Sequence, residues 1–446
     1  SGRATYSYRG KYFGEFNFGY NGSERFHESK RWGFFPSAGV AWTVSKEDFW
    51  NIDAVSNLKF RATHGLVGND AIGKDEDRFF YLSNVNMNSS ARAGRFGIPG
   101  SYYTLNGVLV TRSANENITW EIARKTNLGF ELGLFGKFSM EADWFYEHRT
   151  NILMDRASIP TSMGLPSVER ANVGEARAQG VDGSIDYATS IGQDIWIKMR
   201  ANFTFATSEF LVYEEPNYAR EYRKHTGHPL SQQWGLIAER LFIDEAEVAN
   251  SPVQQYGEYM AGDIKYSDVN GDGKISDEDK VPIGFPTDPE IIYGFGVSTG
   301  YKNVDFSCFF QGSARSSFWI DPSATSPFVD NTQLLKAYAD SHWSEETQDV
   351  YALWPRLSNT EIANNTQSST WFMRNGDFLR LKSIEIGYTL PNPVLKKTGL
   401  SNARIYLNGT NLLCFSRFKL WDVEMGGNGL GYPIQKSYNI GINVSF

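Results

Sequence analysis

The 446-residue chain carries 43 Lys and Arg against 51 Asp and Glu, a formal net charge of −8, and no Lys/Arg stripe interrupts that balance, which argues against nucleic acid as a partner. Its two cysteines, Cys308 and Cys414, form no spaced motif and imply neither a disulfide scaffold nor a zinc site. No run of about 18 apolar residues exists to form a membrane-spanning helix, but the mean hydropathy of −0.41 leaves a transmembrane β-barrel open, because alternating lipid-facing and lumen-facing residues average to a polar value.

The opening SGRATYSYRGKYFGEF has no initiator Met and no signal-peptide apolar core, and it starts inside a hairpin-like pattern, so a fragment of a longer protein is expected. Strands are predicted at 3–9, 11–21, 33–45 and 56–67, the last alternating through Leu58, Phe60 and Ala62. A strand over 119–134 places Leu128, Phe130, Leu132 and Leu134 on one face. The next, 138–152, sets Met140, Ala142, Trp144 and Tyr146 against Glu141, Asp143 and Glu147. Strands at 178–188 and 193–207 follow, and in the second Ile195, Ile197, Met199, Ala201, Phe203 and Phe205 oppose Lys198, Arg200, Asn202 and Thr204. Further strands at 290–299, 303–313, 376–390, 402–415 and 435–446 bring the total to 13. The last has nearly perfect period two, with Tyr438, Ile440, Ile442, Val444 and Phe446 on one side.

The connections alternate in length. Tight turns at 134–137, 189–194 and 299–303 are separated by long polar loops at 67–118, 153–177, 208–289, 315–375 and 416–434. That asymmetry is expected of an outer-membrane barrel with short periplasmic turns and long external loops. If Phe446 ends on the periplasmic side, every long loop falls outside. Thirteen strands with two open edges would leave backbone groups unpaired in lipid, at several kcal/mol each. The remaining strands are therefore expected from an N-terminal portion or a separate polypeptide.

Within the 208–289 loop, DVNGDGKISDED at 268–279 has the spacing D-x-N-x-D-G-x5-D of an EF-hand-like calcium loop. Asp268, Asn270 and Asp272 would supply side-chain oxygens from one turn, Lys274 its carbonyl and Asp279 the closing carboxylate, for Ca2+ or for Mg2+. The competing reading is an Asx-rich turn without metal. No helix pair flanks the loop, so a clip that orders the loop is expected rather than a sensor.

GVSTG at 296–300 matches the nucleophile-elbow pattern, but a strand rather than a helix follows, which speaks against Ser298 as a nucleophile. His225 and His228 lack further ligands at metal spacing and read as loop hydrogen-bonding residues. The acid pairs Asp277/Glu278 and Glu345/Glu346 read as a loop rim. No catalytic residue is assigned, and no enzyme activity is expected. Loop aromatics, chiefly Trp234, Tyr256, Trp319 and Trp343, are candidates for stacking on a substrate; mutual packing of the loops explains them equally well.

NGSERF at 21–26, RWGFFPSAGVAW at 31–42, LKFRATHGLVGND at 58–70, NENITWEIARKTNLGFELGLF at 115–135, GDIKYSDVNGDGKISDEDKVPIGFPTDPEIIYGFG at 262–296, FLRLKSIEIGYTLP at 378–391 and the closing YPIQKSYNIGINVSF follow in order along the chain. In these phrases the chain resembles the barrel of SusC-like (RagA-type) TonB-dependent transporters of Bacteroidota outer membranes. The resemblance implies the C-terminal part of a barrel of about 22 strands, with the plug domain, TonB box and N-terminal strands absent from this chain. It further implies import of oligosaccharides or peptides, a SusD-like surface lipoprotein as partner, and energy supplied through TonB; glycan and peptide importers share these phrases. Glu141, Asp143, Lys198 and Arg200 would then line the lumen. A secreted calcium-dependent glycan-binding β-protein is the alternative, and it would be soluble without detergent.

Overall fold

The computed structural model describes residues 1–73, 77–98, 100–165, 168–329 and 332–446. Thirteen strands form one antiparallel sheet: β1 (Gly2–Tyr8), β2 (Tyr12–Gly22), β3 (Trp32–Thr43), β4 (Val55–Asn69), β5 (Glu121–Leu134), β6 (Phe138–Asp155), β7 (Arg170–Ile191), β8 (Ile195–Val212), β9 (Ile291–Tyr301), β10 (Val304–Ala314), β11 (Phe378–Thr389), β12 (Asn402–Ser416) and β13 (Ser437–Ser445). Each pairs with the next along the chain, so the topology is a meander. Among the described residues β1 and β13 have a neighbour on one side only. The all-β class and the thirteen predicted strands are borne out.

Because successive strands are antiparallel, their connections fall alternately at the two ends of the sheet. The connections 9–11, 44–54, 135–137, 192–194, 302–303 and 390–401 share one end with Phe446. The connections 23–31, 70–120, 156–169, 213–290, 315–377 and 417–436 share the other, and all of these except 23–31 are longer than any at the first end.

The register resolves the two faces. Trp144 of β6 stands opposite Leu128 of β5 and Val181 of β7, and Val181 opposite Phe205 of β8, so one row is wholly apolar. One residue away, Asp143 stands opposite Gly129 and Asp182, and Asp182 opposite Thr204. The apolar face is open: Phe16, Phe60, Leu128, Phe203, Leu407 and Ile440 are between 44 % and 74 % exposed. Aromatic side chains mark both ends of this band, Tyr8, Tyr12, Trp42 and Tyr301 near the short turns and Tyr20, Trp32, Trp144 and Tyr146 toward the long connections. Lipid-spanning barrels need such aromatic girdles, where one ring meets both hydrocarbon and water.

The two largest boundary differences from expectation have one reason. β7 begins at Arg170 rather than 178, and β8 runs to Val212 rather than 207. On β6 the apolar alternation stops at Tyr146, while backbone pairing continues to Asp155. Beyond the apolar band the ladder needs only its hydrogen bonds, so periodicity no longer reports the strand. The expected 67–118 loop also contains a hairpin, Asn84–Ile98 against Ser101–Arg112, whose register shifts between Asn86 and Ser89 and between Ser89 and Gly94, which scrambles its alternation.

The best-buried side chains lie in the long connections rather than the sheet. One cluster draws Leu236, Tyr266, Ile275, Ile320, Tyr338, Trp354, Phe372 and Phe418 from the connections 213–290, 315–377 and 417–436. A smaller one joins Phe26, Ile72, Phe80, Ile118 and Trp120. The long loops therefore form a folded layer over one end of the sheet.

Candidate functional site

Two regions carry polar chemistry: the charged face of the sheet and the loop layer above it. On the charged face Lys59 Nζ meets Glu131 Oε1 at 3.1 Å, across the β4–β5 register. Arg61 reaches past β5 to Asp143 Oδ2 of β6 at 2.7 Å. It can do so because the intervening residue is Gly129, whose added Cβ would lie 2.1 Å from Asp143 Oδ1. The device recurs farther along: Arg404 of β12 passes Gly387 of β11 and donates from Nε to Asp305 of β10 at 3.0 Å, and from Nη2 to Glu385 at 2.6 Å. Arg200 pairs with Asp186 at 2.9 Å.

Glu141, Asp143, Lys198 and Arg200 all occupy this polar face, as their alternation predicts. Their partners Lys59, Arg61, Glu131, Asp305, Glu385 and Arg404 were not anticipated. The same period-two pattern contains them, but pairing them requires the register. Ser298 sits mid-strand on β9 between Lys198 and Ser307, with no turn to present it.

In the loop layer, Asp268, Asn270, Asp272, Lys274 and Asp279 come together in one tight turn whose positive-φ positions, Gly271 and Gly273, are glycines. Asp268 accepts the amides of Gly271 at 2.7 Å and Gly273 at 2.8 Å, and Asn270 Oδ1 accepts that of Asp272 at 2.8 Å. Asp279, fully buried, accepts Val269 and Asn270 through Oδ1 and Ser276 through Oδ2. Among the described residues no group of three or more His, Cys, Asp or Glu side chains converges as a ligand set. The oxygens of this turn nonetheless suit a hard cation, since each carboxylate oxygen has two lone pairs and Asp268 Oδ2, Asn270 Oδ1 and Asp279 Oδ2 each accept one of these amides.

The turn is tied to its surroundings. Lys274–Ile275 pairs in parallel with Val253–Gln254, Tyr222 donates to the Glu278 carbonyl at 2.8 Å, and Tyr256 donates to Asp277 at 3.1 Å. Lys280, 2.7 Å from Asp277, holds that carboxyl below its usual range. Behind it, the buried Gln254 side chain donates to Asn364 Oδ1 at 2.8 Å and accepts the Tyr266 amide at 2.8 Å. Asp263, fully buried, meets Arg356 at 2.8 Å and Asn365 at 2.8 Å; burial pushes its carboxyl up against the pull of the guanidinium. These polar contacts join the 213–290 and 315–377 loops.

His225 is stacked between Tyr213 and Trp234, at 4.6 and 4.2 Å, with Nδ1 2.9 Å from Glu215, so its role is the expected loop hydrogen bonding. Trp234 is committed to that stack, and its indole donates to the Tyr222 carbonyl at 3.1 Å. Trp319 donates to the Ser369 carbonyl at 2.9 Å, and Tyr256 packs on the loop core. Trp343 is 7 % exposed within that core, too little to stack on a substrate. Loop packing therefore accounts for these four aromatics.

The profile of the family described as "TonB dependent receptor-like, beta-barrel" matches residues 1–412. TonB-dependent receptor P26 of Formosa agariphila is 28 % identical over the whole chain, which covers 46 % of that protein. TonB-dependent receptor SusC of Bacteroides thetaiotaomicron is 25 % identical, again over the whole chain and 43 % of the relative. The chain thus spans about half the length of the curated relatives it matches. Among solved structures, the RagAB peptide importer in its open-open state superposes with a TM-score of 0.75 at 21 % identity, over all of this chain and 46 % of that one.

Proposed function

As the chain belongs to the TonB-dependent receptor-like β-barrel family, we propose that it supplies wall and external loops to an outer-membrane transporter that imports oligosaccharides or peptides through TonB. The observation that carries this reading is the thirteen-strand meander with an exposed apolar face, a charged opposite face and its five longest connections at one end. A soluble glycan-binding protein would have to cover that apolar face; lipid covers it without further structure. The charged face then borders the lumen, and the folded loop layer is the surface offered to substrate and to a SusD-like lipoprotein. No catalytic step is assigned to the chain.

The test is fractionation and uptake with the full-length protein in its native membrane. The protein should resist alkaline extraction, co-purify with a surface lipoprotein, and support uptake of labelled oligosaccharide or peptide that stops when TonB is depleted. Release by alkali, or uptake indifferent to TonB, would sink the proposal.

The 268–279 turn is read as a divalent-cation clip within this layer. Asp268, Asn270, Asp272 and Asp279 would hold the ion through side-chain oxygens and Lys274 through its carbonyl, with Ca2+ favoured by the all-oxygen set and Mg2+ the smaller competitor. The ion would supply charge neutralisation and cross-linking of the turn; the loop's own amide hydrogen bonds set its shape.

A further inference from the structure

A shallow cleft of about 350 Å3 opens on the loop layer, bordered by Ser341, Tyr351, Leu353, Thr370, Trp371 and Arg374. Arg374 lies on the short strand Met373–Asn375, opposite Phe318 of Ser317–Trp319. Its Nη1 donates to the carbonyls of Trp371 at 2.8 Å and Met373 at 2.7 Å, which uses both hydrogens of that nitrogen and fixes the guanidinium plane. Among the described residues no carboxylate pairs with it, and its Nε–H and Nη2–H edge has no acceptor. Burial accordingly lowers its pKa.

Three other arginines of the layer are paired. Arg356 meets Asp263 at 2.8 Å, Arg240 meets Glu247 at 2.6 Å and Arg315 meets Glu290 at 2.6 Å. A partly buried guanidinium without a counter-ion is unfavourable until an anion completes it.

The rest of the cleft is also donor-rich. Ser341 Oγ accepts the Leu353 amide at 2.9 Å and Thr370 Oγ1 the Ala238 amide at 2.9 Å, so each hydroxyl keeps its proton to donate. No acidic residue lines the cleft, in a chain whose net charge is −8. Tyr351, 72 % exposed, and Leu353 give one wall an apolar surface.

We propose that this cleft is a carboxylate-binding subsite, in which the free Nε/Nη2 edge of Arg374 takes a ligand carboxylate side-on, as a planar fork matches two oxygens. The Ser341 and Thr370 hydroxyls donate to the same group, and Tyr351 packs on what adjoins it. A peptide C-terminus and a uronic-acid sugar both present this chemistry. The subsite deepens the import reading and rests on it for the origin of the ligand.

Calorimetry on the detergent-solubilised full-length protein tests it with two probe pairs: tetra-alanine as free acid and as C-terminal amide, and trigalacturonate against maltotriose. One carboxylate probe should bind roughly tenfold to hundredfold more tightly than its neutral counterpart; the pair that discriminates identifies the source. Arg374→Gln should abolish the discrimination, and Arg374→Lys, a point charge without the fork, should retain part of it. Tyr351→Ala, at an exposed side chain, is the second variant and should weaken the carboxylate probe while the fold is kept. Equal binding within both pairs, no binding of any probe, or discrimination unchanged in Arg374→Gln or, where that variant fails to assemble, in Tyr351→Ala would overturn the subsite. Carboxylate binding that persists where cells show no TonB-dependent uptake would count against import alone.

Discussion

Gly129 and Gly387 hold the charged face together by having no side chain. Each lies between the partners of a pair on the strands to either side, Arg61 with Asp143 and Arg404 with Asp305. Gly129→Val should push Arg61 from Asp143 and cost about 1–3 kcal/mol through overpacking alone, read as an earlier urea midpoint of the refolded barrel; Gly14→Ala on β2, where an added Cβ meets nothing within 4 Å, is the control. In the loop layer Glu247 is set against burial by the Ile243 amide, Arg240 and Lys265, and the net effect holds it below its ordinary value of 4.5. A depressed acid stabilises the fold above its unfolded pKa, so this contribution is complete above about pH 4.5 and is lost as pH falls through the lower folded value. Proteolysis of the 238–265 segment should therefore accelerate below pH 4.5 in the wild type, and Glu247→Gln should be cleaved faster at neutral pH. The double variant Asp268→Ala with Asp272→Ala should lower Ca2+ affinity by at least tenfold in calorimetry and leave barrel assembly intact; collapse of the barrel would show that the turn does more than clip its loop. That turn was legible in the sequence because its oxygen-bearing side chains lie within one short span, each placed by its own neighbours. Arg61 and Asp143 were legible only as members of a polar face, since their pairing joins positions 82 residues apart.

At the level of elements, strands and loops were read by different signals and with different success. Every strand with an apolar face against a polar one was found, because lipid on one side and polar surroundings on the other enforce period two. The extensions of β7 and β8 and the hairpin Asn84–Arg112 were missed where that enforcement stops. The long connections were expected as polar loops whose aromatics either stack on a substrate or pack on one another, and they pack, around Tyr338, Trp354 and Phe372, with the Tyr338 and Trp354 rings 4.3 Å apart. Trp354→Ala should remove about 3–5 kcal/mol from that layer. Hydrogen exchange should then rise in 236–266 and 317–375 and remain slow in β5 to β8, because those strands contribute no side chain to that cluster. Uniform loss of protection would show that layer and sheet fold as one unit.

For the molecule as a whole, the two faces of the sheet should respond oppositely to charge. Phe203 stands on the apolar face and Asn202, its neighbour, on the polar one. Phe203→Lys should destabilise the barrel in lipid by about 2–4 kcal/mol, whereas Asn202→Lys should change it little; equal effects in a refolding titration would mean that the face assignment is wrong. Strand number, the order of long and short connections and the face each strand residue occupies were readable from the order of amino acids, because those depend on alternation and turn chemistry within about 20 residues of chain. Tertiary structure alone decided which charges meet across strands, that the long loops share a core, and that Arg374 is left without a counter-ion. Those outcomes depend on register and on loops distant in sequence converging in space, and no local pattern of residues encodes either.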